Sequence, residues 1–205
     1  VRTPTLEREA ALWAEGRQAV VGLDEVGRGP LAGPVIAAAV VFPPGQLPIE
    51  GLRDSKLMTA SARERVAAQV RAQAVGYAVG AASVHEIDRL NIRRATALAM
   101  RRALARLPLT PDYVLLDGQS LPELETSHEA IVGGDGGCQS IAAASVVAKC
   151  VRDRLMARLG QRYPAFKWQD NKGYATRDHL AALDRDGPTP HHRTSFAPVI
   201  QPRLL

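Results

Sequence analysis

The stretch VVGLDEVGRGPLAGPVIAAAVVF, Val20 to Phe42, decides the fold. Its two ends read as apolar, β-branched strands, around Ala19–Val26 and Pro34–Phe42, joined by the glycine-rich turn GRGPLAG. Asp24 and Glu25 sit side by side within the first strand. Ionised carboxylates taken out of water cost several kcal/mol each unless something pairs with them, so a core strand that carries two needs a compensating partner. Neighbouring side chains on a strand point to opposite faces. The pair therefore serves one task only where the strand ends or distorts.

Working outward, helices and strands alternate. TLEREAALWAEG (5–16) reads as an amphipathic helix closing on Gly16. Ser61 and Glu64 have capping-box spacing at the head of a helix, SARERVAAQVRAQAV, and the strand GYAVGAAS follows it. Ser83 and Glu86 repeat that spacing, and a long helix with an Arg-rich outer face continues through NIRRATALAMRRALARL to Pro108. DYVLLDG is a short buried strand ending at Asp117, and AIVGG is a briefer one leading into GGDGG (133–137). SIAAASVVAKCVRDRLMARLGQRY (140–163) is the longest helix, and TRDHLAALDRDG (176–187) is the last, before an irregular Pro- and His-containing tail. The expected architecture is α/β: a mixed sheet flanked by helices, spanning 1–163, with a small C-terminal helical extension and tail, 164–205, packed on it.

With 46% hydrophobic and 23% charged residues the composition is that of a soluble globular chain. No run approaches the roughly 18 apolar residues of a membrane span. The N-terminal segment lacks the continuous apolar stretch of a signal peptide, so a cytoplasmic protein is expected. Cys138 and Cys150 have no metal-binding spacing and are expected to pack as small apolar groups. Residues 1–138 carry 15 Lys and Arg against 16 Asp and Glu, whereas residues 139–205 carry 11 against 5. A basic segment beside an acidic one suits a polyanionic substrate, phosphate being the usual case.

Acidic residues fall where strands stop or a helix is about to start: Asp24 and Glu25, Asp117 and Asp135. Loops at strand ends are where sites assemble in open α/β sheets. Carboxylates held together raise one another's pKa unless a cation neutralises them, and an oxygen-only donor set favours a hard cation, Mg²⁺ or Mn²⁺. With the basic C-terminal third, this points to metal-assisted chemistry on a phosphodiester.

GLDEVGRGPLAGPV, DSKLM, HEIDRLNI, YVLLDG, GGDGGCQSIAAASVVAKCVRD, NKGYATRDH and HHRTSF occur in this order from about Ala19 to Phe196. This ordered set resembles the bacterial ribonuclease HII family. The resemblance implies a ribonuclease-H-like fold with a C-terminal helical extension, acting as a monomer on RNA–DNA hybrids and on ribonucleotide-containing duplex DNA. It implies nicking 5′ of an embedded ribonucleotide with two Mn²⁺ or Mg²⁺ ions, a step of ribonucleotide excision repair. Asp24, Glu25, Asp117 and Asp135 match the family's four carboxylates as catalytic and metal-binding residues. Gly27, Arg28 and Gly29 match the motif whose backbone inspects the ribose 2′-hydroxyl, a group that backbone can approach closely where glycine has no Cβ. Tyr174 matches the tyrosine that packs at the RNA–DNA junction.

Lys149, Arg152 and Arg154 on the long helix, with Lys56 and Lys172, are candidate phosphate contacts. His191 and His192 are expected to pack rather than to bind metal, and Trp168 either stacks on a base or packs. Two departures stand out. Gly133 occupies the place of a lysine usual in the family, so Asp135 is expected to be loosely held, and DSKLM lacks a common second lysine. A junction resolvase of similar fold would share the carboxylates without needing the Gly-Arg-Gly string and Tyr174. A hybrid-binding module without activity would use the carboxylates only to hold a structural cation.

Overall fold

The computed structural model describes residues 3–199. Its centre is a five-stranded sheet of β1 (Val20–Val26), β2 (Val35–Val41), β3 (Gly76–Ala82), β4 (Tyr113–Asp117) and β5 (Glu129–Ile131), in the order β3-β2-β1-β4-β5. β1 pairs antiparallel with β2, β2 antiparallel with β3, and β1 parallel with β4, which pairs parallel with β5. The sheet is mixed and flanked by helices, as expected. The first four sequence-predicted strands agree with it to within a residue, while the last, AIVGG, is observed one residue earlier and stops at Ile131.

Side-chain alternation splits the core into two layers. Val21 and Leu23, with alternate residues of β2, pack on α4 (Ile92–Ala105), while Ile36, Ala38 and Val40 pack on α2 (Ala60–Gln73) and α5 (Gln139–Arg162). The Ala- and Ser-rich start of α5 follows from its closeness to the sheet. A Cβ at Gly22, mid-β1, would lie 2.1 Å from the Ser140 carbonyl carbon, so only glycine admits the helix there.

Two boundaries differ from the sequence reading. α2 is capped by Thr59, whose side chain accepts from Ala62 N–H, and Ser61 lies inside the helix rather than at its cap. The long helix expected after Ser83 is two helices, α3 (Val84–Leu90) and α4, broken at Asn91, whose φ is 70° and whose side chain caps α4 by accepting from Arg94 N–H. The Ser83–Glu86 capping box is present at the start of α3.

Beyond α5 come α6 (Trp168–Asn171) and α7 (Arg177–Asp186), then a segment without helix. Trp168, Phe166 and Ala182 from this part are buried together with Ala32 and with Met156 of α5. The expected tail continues past residue 199, outside the described residues. No helix among them is long and apolar enough to cross a membrane. Cys138 and Cys150 are buried, and burial pushes their thiols up to about 12 and about 11, which leaves them unreactive.

Candidate active site

Parallel pairing of β1 with β4 aligns Leu23 with Leu116, so the next residues, Asp24 and Asp117, leave adjacent strands at the same end of the sheet. Asp135 arrives from a single 3₁₀ turn, Gly134–Gly136, just before α5. Asp24, Asp117 and Asp135 each offer a carboxylate oxygen, and these oxygens all lie within 4.8 Å of one another. Asp135 is buried, and its N–H donates to Asp117 Oδ1 at 3.3 Å. The loose placement expected from Gly133 is therefore not observed. The turn is closed by Gly136 N–H to Gly133 O at 3.0 Å and Cys138 N–H to Gly134 O at 2.7 Å, which hold the Asp135 backbone without a lysine at position 133.

The pleat sorts Asp24 from Glu25. Asp24 is buried on the α5 side, while Glu25 leaves the strand on the other side and stands outside the group of three aspartates. Arg28 Nη1 donates to Glu25 Oε1 at 3.2 Å. Glu25 and Asp117 together separate two cavities. One, of about 180 Å³, is lined by Asp24, Glu25, Asp117, Ser55, Lys56, Ser145, Lys149 and Tyr174. The other, of about 280 Å³, has Arg28, Arg93 and Gln119 at its polar side.

Burial, then the charges of Glu25 and Asp117, push the Asp24 carboxyl well above the usual carboxylate range. Burial and Asp135 raise Asp117 likewise, and burial raises Glu25 against the opposing pull of Arg28. Burial disfavours the Lys56 ammonium, but Asp135, Asp54, Asp24 and Asp117 outweigh it, and Lys56 Nζ lies 3.6 Å from Asp135 Oδ2. The negative charge exceeds what this one ammonium can answer. An oxygen-only cluster under that strain fits a hard divalent cation, held by Asp24, Asp117 and Asp135.

The remaining candidates divide. A Cβ at Gly29 would lie 3.6 Å from Tyr174 Cε1, so the half-exposed tyrosine ring runs alongside the Gly27–Gly29 loop. Gly27 has φ +91°, and a Cβ there would meet Arg152 Nε at 2.1 Å, so both its conformation and its surroundings demand glycine. Lys149 lines the smaller cavity and donates to Asp153 Oδ1 at 2.7 Å. Lys172 bonds the Gln169 carbonyl, two residues from Tyr174. Arg154 pairs with Glu64 of α2 and lines neither cavity. Arg152 is a correction: it is fully buried, with its guanidinium spent on the carbonyls of Ala32, Pro34 and Lys172, so no phosphate can reach it. Trp168 packs rather than stacks on a base, since it is buried and its Nε1–H donates to His179 Nε2 at 3.2 Å. His192 is buried in the same aromatic group.

Sequence reasoning missed Ser55 and Ser145, whose hydroxyls meet at 2.9 Å beside the cluster, and Arg93 and Gln119 in the second cavity. Ser145 had a signal: it is the polar position inside the small apolar run IAAASVVA.

The sheet order, with aspartates gathered at one end of its central strands, is that of the ribonuclease-H-like class. The structure of ribonuclease H2 from Pyrococcus horikoshii shares the fold, with a TM-score of 0.74 over 89% of this chain and 95% of that one at 24% identity. So does Bst-RNase HIII, solved in complex with Mn²⁺, with a TM-score of 0.72 over 93% of this chain and 71% of that one at 21% identity. The chain belongs to the ribonuclease HII family: residues 21–199 match the profile described as Ribonuclease HII. A Ribonuclease HII of Cereibacter sphaeroides is 56% identical over 200 residues, covering 97% of this chain and 93% of that protein. The protein is accordingly a ribonuclease H, the kind of hydrolase that acts on RNA–DNA hybrids.

Proposed function

We propose that the protein cuts the RNA strand of RNA–DNA hybrids and also nicks duplex DNA 5′ of an embedded ribonucleotide, leaving 3′-hydroxyl and 5′-phosphate ends. The observation that carries this reading is the approach of Tyr174 to Gly29 at the rim of the cavity lined by Asp24, Glu25 and Asp117, which brings an aromatic ring beside the carboxylates. Asp24, Asp117 and Asp135, with Glu25 at the border of the cavity, are the proposed ligands of Mg²⁺ or Mn²⁺. The Mn²⁺ bound to Bst-RNase HIII supports that choice. Two such cations, when bound, lower the pKa of the attacking water and neutralise charge on the leaving 3′-oxygen.

The chain's own groups hold the strand. Lys56 and Lys149 flank the cavity and balance phosphate charge, and Lys172 adds to it from the Tyr174 loop. Arg28, bonded to Glu25, is placed to exchange that partner for a phosphate oxygen. Backbone of Gly27, Arg28 and Gly29 meets the 2′-hydroxyl, the one group that distinguishes RNA from DNA at a position, and the Tyr174 ring packs under the adjoining sugar. In this reading residues 1–163 are the catalytic domain and 164–205 an extension that supplies Tyr174. The protein works as a cytoplasmic monomer at the start of ribonucleotide excision repair.

Mapping the products from a duplex with one ribonucleotide, with Mg²⁺ and with Mn²⁺, tests the reading. A single nick 5′ of the ribonucleotide is expected. Cleavage of DNA junctions without cleavage of this duplex would instead favour a resolvase. Tyr174→Ala is expected to lower kcat/KM on the same duplex about tenfold or more, the worth of one stacking contact.

A further inference from the structure

Beneath the loop that starts at Gly27 lie two fully buried guanidinium groups, Arg152 of α5 and Arg193 of the C-terminal segment. Both are answered by carbonyl oxygens rather than carboxylates. Arg193 donates to Gly27 O, to Arg28 O at 2.7 Å, and from two nitrogens to Gly33 O at 3.0 and 2.8 Å. Arg152 donates to Ala32 O and Pro34 O at 3.0 Å and to Lys172 O at 2.9 Å. Phe196 lies under the Arg193 guanidinium, with its ring centroid 5.0 Å from Cζ.

A trans peptide is planar, so its C=O and the N–H of the next residue point in opposite directions. Drawing the Gly27 carbonyl inward turns the Arg28 N–H outward, and drawing the Arg28 carbonyl inward turns the Gly29 N–H outward. Among the described residues neither N–H has a protein acceptor. Glycines flank both peptides, and without such a tether their backbone freedom would let either peptide flip and present an acceptor instead of a donor.

The geometry points to Arg193 as the positioning residue of the ribose reader: it fixes the Arg28 and Gly29 N–H groups as outward donors, so the loop reads the 2′-hydroxyl as an acceptor. This rests on the reading of Gly27–Gly29 as the ribose-contacting loop. Lysine cannot replace the guanidinium, because one ammonium cannot span three carbonyls set around a planar fork.

The test compares the wild-type protein with Arg193→Lys and Phe196→Leu. The measured quantity is the ratio of dissociation constants for an all-DNA duplex and the same duplex with one ribonucleotide, in Ca²⁺ to hold off cleavage. Calorimetric titration of Mn²⁺ into the nucleic-acid-free protein follows the carboxylate cluster separately. Arg193→Lys is expected to cut the ratio about tenfold, the worth of one aimed hydrogen bond, with Mn²⁺ affinity unchanged. Phe196→Leu is expected to move the ratio the same way by less, and it decides the matter alone if Arg193→Lys does not fold. A folded Arg193→Lys that keeps the wild-type ratio, or a Phe196→Leu that leaves it unmoved when the lysine variant is unfolded, overturns the assignment. A wild-type ratio near one overturns the ribose reading itself, and the assignment with it.

Discussion

Asp24, Asp117 and Asp135 on one side of the Gly27–Pro34 loop, and Arg152 and Arg193 on the other, are both charges withdrawn from water, yet they are answered differently. The guanidinium groups spend their donors on six carbonyl oxygens of this chain. Burial still pulls Arg152 down to about 10 and, with the like charge of Arg152, Arg193 down to about 9, values that leave both charged at neutral pH. The aspartates have no such closure, and burial and mutual repulsion raise both Asp24 and Asp117. Charge that the chain completes by itself builds a scaffold, whereas charge it leaves uncompleted marks where a ligand enters.

The largest effect should follow from removing one member of the incomplete set. Asp117→Asn is expected to lower hybrid cleavage about a thousandfold or more, as loss of a principal electrostatic group does, while binding of the hybrid persists. In metal-free protein the same change should raise thermal stability, because it relieves repulsion around Asp24. A variant that cuts normally would make the cluster structural, and a metal-free variant that melts lower would mean its charge is already balanced.

The complete set should respond in the opposite sense. Arg152→Met leaves the carbonyls of Ala32, Pro34 and Lys172 without their donor in a closed interior and is expected to cost about 3 kcal/mol of stability. Urea unfolding measures that loss, and Mn²⁺ affinity should hold because the aspartates come from β1, β4 and the turn before α5. A loss below about 1 kcal/mol would show that the loop carries its own conformation and that the contrast drawn between the two clusters is false.

The same contrast explains what could be read in the sequence. Asp24, Asp117 and Asp135 each interrupt apolar or glycine-rich surroundings, so their place at strand ends was legible one residue at a time. The strand pattern was legible too, because alternation and turn residues are local. Arg152 misled for a physical reason: on a basic helix its neighbours Lys149 and Arg154 are reached by solvent, and only the crossing of the Gly27–Pro34 loop over α5 buries it. Arg193 gave no local sign, since its partners lie about 160 residues earlier in the chain. Asn91 was missed because a residue at positive φ breaks a helix whose apolar periodicity runs on across it.

A third buried group, neutral rather than charged, gives the smallest predicted effect and separates the other two. Thr189 N–H donates to His192 Nδ1 at 2.9 Å, which leaves His192 Nε2–H to share the His179 Nε2 acceptor, at 3.0 Å, with Trp168 Nε1–H. His179 Nδ1–H then donates to Tyr174 O at 2.8 Å. A proton added to either ring would set donor against donor. Burial, then the neighbouring His179, lowers His192 to about 4, and burial lowers His179 too. A base whose folded pKa lies below its unfolded 6.5 lets the unfolded chain bind more protons between those values. Stability from the pair is thus complete above pH 6.5 and is lost as pH falls toward 4, about 2 kcal/mol of it by pH 5. The raised aspartates act in the opposite direction, gaining stability as pH falls, so the wild-type slope alone mixes both. His192→Gln keeps an acceptor and a donor but cannot titrate. The difference in urea midpoint between wild type and this variant should therefore shrink as pH falls from 7 to 5. An unchanging difference would mean that the histidines ionise without disturbing the chain that ends on Tyr174, and that only the charged clusters set the pH dependence of the fold.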